Sequence, residues 1–167
     1  MRQLLRHGLI ALLLTGVVGC GFHLRGNVEL PQGLQTLALD GTASEVLMSQ
    51  LRRSLYNNGA VLVPRSEAPV VLQLGRDQFE RRVITLSTSG KAREYALTLR
   101  VGFTLQDTEG KALIAQQVIE LERDYRFDET NVLGSGGEEA QLKREMLRDA
   151  ASRILQRLQA QAVEAGL

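Results

Sequence analysis

"YALTLRVGFTL" (Tyr95–Leu105) alternates without a break. Tyr95, Leu97, Leu99, Val101, Phe103 and Leu105 are large and apolar, and Ala96, Thr98, Arg100, Gly102 and Thr104 fall between them. A period of two belongs to a β-strand, whose successive side chains point to opposite faces. One face of this strand is apolar and the other is polar. The apolar face needs a cover, so the neighbouring segments are read for what supplies it.

Immediately downstream, "DTEG" (Asp107–Gly110) makes a hairpin turn. "ALIAQQVIELERDYRF" returns as the partner strand, with Ile119, Leu121, Tyr125 and Phe127 on one face and Glu120, Glu122 and Asp124 on the other. Upstream, "VVLQLGRDQFERRVITLS" (Val70–Ser87) reads as a long strand with Gly75 as a bulge. "LQTLALD" (Leu34–Asp40) is a further short strand, with Leu37 and Leu39 on one face.

Two helices are candidates for the cover. Thr42 and Glu45 have capping-box spacing, and Leu47, Met48, Leu51 and Leu55 then recur at helical intervals, leaving Arg52 and Arg53 outside the stripe. Asn57-Asn58-Gly59 ends that helix, since Asn and Gly accept a left-handed C-cap. Ser135 and Glu138 repeat the capping-box spacing before a stripe of Leu142, Met146 or Leu147, Ala150, Ile154 and Leu158. The order β-α-β-β-β-α gives an α+β two-layer sandwich. In it two helices pack on one face of a four-stranded, mostly antiparallel sheet, and the other face stays polar.

The N-terminus has a different character. Arg2 and Arg6 precede an apolar stretch from Leu9 to Val18, then Gly19 and the chain's single cysteine, Cys20. That order is a secretory signal, and roughly ten apolar residues are too few to span a bilayer. Val17-Val18-Gly19-Cys20 resembles a bacterial lipobox, in which the thiol takes a diacylglyceryl group, the chain is cut before it, and the new amine is acylated. A buried free cysteine is the alternative, but its place at the edge of the apolar run argues against it. Two or more acyl chains make a stable anchor where one does not. By the sorting rule of bacterial lipoproteins, Gly21 in place of an aspartate directs the protein to the outer membrane. The chain divides into a leader (1–19), a lipidated tether (20–33), a single domain (34–162) and a short tail (163–167).

Removing residues 1–19 leaves 148, with 18 Lys and Arg against 19 Asp and Glu. That balance gives no general attraction to nucleic acid. The only histidine after the leader, His23, lies in the tether and completes no ligand set. Nothing suggests a cofactor, a metal or a catalytic triad, so the chain reads as a binding module rather than an enzyme. "LGSGGEEAQLK" (Leu133–Lys143) lacks the lysine and spacing of a phosphate loop, and its acids repel an anion, so it reads as a flexible helix entry. Glu120 and Glu122 belong to a solvated strand face. The basic residues Lys91 and Arg93 in "STSGKAREY" (Ser87–Tyr95), with Arg81 and Arg82 on the preceding strand, are the candidates for holding phosphate or carboxylate. A solubilising hairpin tip is the competing reading.

"GCGFHLRG" (Gly19–Gly26), the "GKAREY" turn and "LKREMLRDAASRILQRL" (Leu142–Leu158), on a β-α-β-β-β-α domain, resemble the LptE family of lipopolysaccharide-assembly lipoproteins. The resemblance covers essentially all of the chain after the leader. It implies an outer-membrane lipoprotein that plugs the LptD β-barrel, assists its assembly and binds lipopolysaccharide on its way to the outer leaflet. It also implies basic lipid-binding residues at the turn, where Lys91 and Arg93 stand, and near the start of the final helix. "NVLGSGGEEA" (Asn131–Ala140) has no basic residue, and Lys143 and Arg144 come only later. A barrel-independent lipoprotein that binds anionic glycolipid or cell-wall material is the alternative.

Overall fold

The computed structural model describes residues 30–126 and 132–167; Cys20, Phe127 and residues 20–29 of the expected tether lie outside them. Six strands and two long helices follow a short 3-10 turn at Gln32–Leu34: β1 (Thr36–Gly41), α1 (Glu45–Asn57), β2 (Val61–Leu62), β3 (Val70–Leu74), β4 (Gln78–Leu86), β5 (Ala92–Asp107), β6 (Ala112–Arg126) and α2 (Val132–Ala165).

The α+β class and the two helices are as the sequence reads, but the sheet is six-stranded and mixed rather than four-stranded and mostly antiparallel. β1 lies between β2 and β3 and is parallel to both. A parallel pair needs a crossover, and α1 supplies it. β5 is the spine. Along one edge it pairs antiparallel with β6, and along the other with β3 near its end and β4 near its start.

The long strand expected over 70–87 is therefore two strands on one line. From Leu74 to Gln78 the chain advances four residues, while β5 retreats three, from Phe103 to Arg100. One residue is extra, and Gly75 still donates its N–H to Gly102 O at 2.8 Å. The interruption falls where the bulge was expected.

The core matches the alternation of β5. Leu97, Leu99, Val101, Phe103 and Leu105 are buried, with Ile119 and Leu121 beside them on β6. Leu47, Leu51 and Leu55 of α1 and Met146, Leu147, Ala150, Ile154 and Leu158 of α2 close over this face. The opposite face is not wholly polar. Ala38, Ala68 and Val71 form a second small buried cluster, because interior parallel strands are covered on both sides.

Both helix starts differ from the capping-box reading. The N-cap of α1 is Ser44, whose hydroxyl accepts from Leu47 N at 3.4 Å, not Thr42. Thr42 still donates its N–H to Leu74 O, so the ladder ends two residues later than the local pattern implied. α2 begins at Val132, ahead of Ser135, so the glycine-rich segment is helical rather than a loop. Helix propagation is cooperative, and a well-packed downstream helix carries a turn of poor helix formers.

The molecule has two ends. β5 spans sixteen residues and α2 thirty-four, each about 50 Å long. At one end Leu167 lies against Gly33, three residues on from the buried Leu30. At the other end are the β4–β5 turn and the start of α2. The expected tail is helical as far as Ala165.

Candidate functional site: the basic hairpin and its helix latch

The four basic residues singled out from the sequence occupy the distal end but do not form one cluster. Arg81 is opposite Leu97, and Arg82 is opposite Ala96, so strand alternation puts them on opposite faces of the sheet. Lys91 is at the turn, where its N–H reaches Ser87 Oγ at 3.2 Å and its carbonyl accepts from Ser87 N. Arg93 stands at an irregularity in β5. From Thr85 to Leu86 β4 advances one residue while β5 goes back two, from Glu94 to Ala92, leaving Arg93 unpaired in the ladder. One step earlier Ile84 is the extra residue on β4, between Val83 and Thr85. Bulges of this kind redirect side chains at sheet edges.

Arg81 is held by groups that local sequence gives no sign of. Its guanidinium is 3.0 Å from Glu139 on α2 and lies over the Tyr95 ring, 4.8 Å from the centroid. Tyr95 stacks on Tyr125 of β6, with ring centroids 5.6 Å apart. Tyr125 donates its hydroxyl to Glu139 Oε2 at 2.5 Å, and Lys143, one helical turn on, is 2.7 Å from Glu139 Oε1. Lys143 also lies over the ring of Phe79, at 5.6 Å. Three donors converge on one carboxylate, and Lys143 first, then Tyr125, holds it down at about pKa 2. Burial pushes the Tyr125 hydroxyl up, and its bond to the Glu139 carboxylate adds to this.

This latch uses the first basic residue of the final helix, Lys143. The only trace of it in the sequence is the i,i+4 spacing of Glu139 and Lys143; the partners on β4, β5 and β6 are set by register. Arg123 with Asp149, at 2.9 Å, and Arg157 with Val118 O, at 2.8 Å, fasten α2 further along.

The uncovered face of β4–β5–β6 carries a ladder of neutralising pairs. Arg100 bonds Glu120 through two nitrogens, at 2.9 and 3.1 Å, and lies 3.4 Å from Glu80. Thr98 donates to Glu122, and Glu94 accepts from Thr85 and Arg126. Thr85 first, and then Arg126, holds the Glu94 carboxyl below its ordinary range. Glu120 and Glu122 thus sit on a solvated face, as the sequence reads, and Arg100 is bound into that ladder.

Among the described residues, the surface grooves collect no catalytic set. One between α1 and β2 is lined by Arg52, Arg53, Tyr56 and Val61, and another beside α2 by Asp124, Glu138 and Glu145. Among the described residues no helix is long and apolar enough to cross a membrane.

Comparison with known proteins gives one answer. The LptE family profile, described as lipopolysaccharide-assembly, matches residues 34–158. The chain is 28% identical over 163 residues to the LPS-assembly lipoprotein LptE of Photorhabdus laumondii, covering 92% of this chain and 87% of that protein. The crystal structure of rare lipoprotein B from Shewanella oneidensis superposes with a TM-score of 0.65 at 29% identity, over 78% of this chain and 99% of the other. The solution structure of a lipoprotein B from Nitrosomonas europaea does so with a TM-score of 0.67 at 31% identity, over 87% and 93%. The chain belongs to the LptE family of lipopolysaccharide-assembly lipoproteins, which are not enzymes.

Proposed function

We propose that this chain is anchored at Cys20 by diacylglyceryl and N-acyl groups in the inner leaflet of the outer membrane. There it plugs the lumen of the LptD β-barrel, assists that barrel's assembly, and binds lipopolysaccharide as it passes to the outer leaflet. Family membership supports the role in lipopolysaccharide assembly.

The observation that carries the plug reading is the uncovered sheet face. Its arginines and carboxylates neutralise one another across three strands, Glu80 to Arg100 to Glu120 and Glu94 to Arg126. Such a surface is wet and nearly neutral, and a barrel lumen is polar and wet. The length supports the same reading. A body of about 50 Å matches a bilayer of roughly 40–45 Å including headgroups.

Lipopolysaccharide is bound at the distal end by Lys91 and Arg93 at the turn, with Arg82 on one face of β4. Arg81 joins them by exchanging Glu139 for a phosphate. Charge-assisted hydrogen bonds from these groups suit phosphate oxygens. The test is the double substitution Lys91→Glu and Arg93→Glu. It should weaken lipopolysaccharide binding and leave the circular dichroism spectrum unchanged. Unaltered binding would reject this assignment.

A further inference from the structure

β4 carries three large apolar side chains that the fold leaves in water. Val83, Ile84 and Leu86 are 43%, 44% and 59% exposed. They occupy three of four consecutive positions at the distal end of a strand whose outer edge, among the described residues, has no partner there. Single apolar residues on a surface need no explanation. Three together on an unpaired edge are what sheet proteins ordinarily avoid.

The segment is poorly built for adding another strand. Its bulges at Ile84 and Arg93 break the regular ladder, and an irregular edge resists pairing. Its charge is one-sided: between positions 81 and 93 stand Arg81, Arg82, Lys91 and Arg93, and no acid, with Arg81 alone drawn to the Glu139 carboxylate of α2. The nearest following carboxylate, Glu94, is held by Thr85 and Arg126. Apolar side chains framed by cations match an anionic amphiphile, whose phosphates meet the cations while its chains meet the oily residues.

We propose that Val83, Ile84 and Leu86 contact the acyl chains of an anionic glycolipid whose phosphates are held at the adjoining turn by Lys91 and Arg93. This rests on the lipopolysaccharide reading above and extends it from headgroup to chains.

The chain contains no tryptophan, so Leu86→Trp gives a single reporter. The full lipid-anchored protein, in phosphatidylcholine vesicles, would be titrated with lipopolysaccharide, with its deacylated phosphorylated saccharide, and with inorganic phosphate. Emission should move to shorter wavelength with lipopolysaccharide alone. In parallel, Ile84→Asn with Leu86→Asn should weaken lipopolysaccharide binding about tenfold and leave binding of the deacylated saccharide unchanged. Binding without a spectral shift, or equal binding of both ligands by the double variant, overturns the proposal and leaves a headgroup site. A shift in phosphatidylcholine alone also overturns it, because the cations would then play no part. If neither ligand binds the unsubstituted protein, the lipopolysaccharide reading itself falls, and the acyl contact with it.

Discussion

Arg81 and Glu139 stand 58 residues apart in the chain and 3.0 Å apart in space. Their contact ties the middle of β4 to the opening turns of α2. The two ring faces under Arg81 and Lys143 position the cations, and the Glu139 carboxylate joins them. The joint lies at the same end of the molecule as the basic turn, so its strength bears on both stability and ligand access.

Glu139 makes stability depend on pH in a defined window. Its pKa is depressed from 4.5 to about 2, so its contribution is complete above about pH 5 and is lost as pH falls towards 2. Because Arg81 is half exposed, solvent screening leaves about 1–2 kcal/mol of this. Glu139→Gln should remove that increment at pH 7 and flatten the acid limb of the stability curve. Denaturant titrations of both proteins at pH 7 and pH 3 check it, and parallel curves would contradict it.

Gly41 should tolerate no side chain. Its φ is +136°, and a Cβ there would come within 2.1 Å of the Leu74 carbonyl oxygen, a backbone atom. β3 would have to move, breaking the bond from Thr42 N to that oxygen. Gly41→Ala is expected to cost about 3 kcal/mol or more. Gly59→Ala has a similarly positive φ but open space around it, and should cost only about 1 kcal/mol. Paired thermal melts separate steric clash from backbone strain.

Phe103 is the largest of the fully buried side chains, in the middle of the face that both helices help to cover. Phe103→Ala is expected to destabilise the fold by about 3–5 kcal/mol, through lost burial and the cavity left behind. Chemical denaturation measures this directly. A loss below about 1 kcal/mol would mean the core is not organised around β5.

The sequence reading succeeded where one element carries its own pattern. β5 declared both faces because it is long and half-buried, and the stripes of α1 and α2 named the residues that cover it. It failed where partners are distant. The parallel pairing of β1 depends on register with Leu62 and Leu72, which no local period encodes. β2 has only two residues, too few to show a period. At the candidate site, Arg81 was visible as a cation, but Glu139, Tyr125 and Tyr95 are brought to it by three separate elements. The bulge that frees Arg93 from the ladder leaves no mark in the alternation around it.

Cys20→Ser should abolish acylation. Intact-mass measurement of protein from the membrane fraction should show a chain starting at Cys20 with diacylglyceryl and N-acyl groups. The substituted chain should lack that mass. An unmodified thiol in the parent protein would remove the anchor from the account.

The most direct test of the central claim is what accompanies the full-length, lipidated protein when it is purified from outer membranes in mild detergent. The account requires a stoichiometric β-barrel of outer-membrane size, held through a surface that includes the Arg100–Glu120 face. A lipidated monomer alone, from a preparation in which other barrel complexes survive, would contradict it. The chain would then be a lipoprotein that binds its anionic ligand without a barrel.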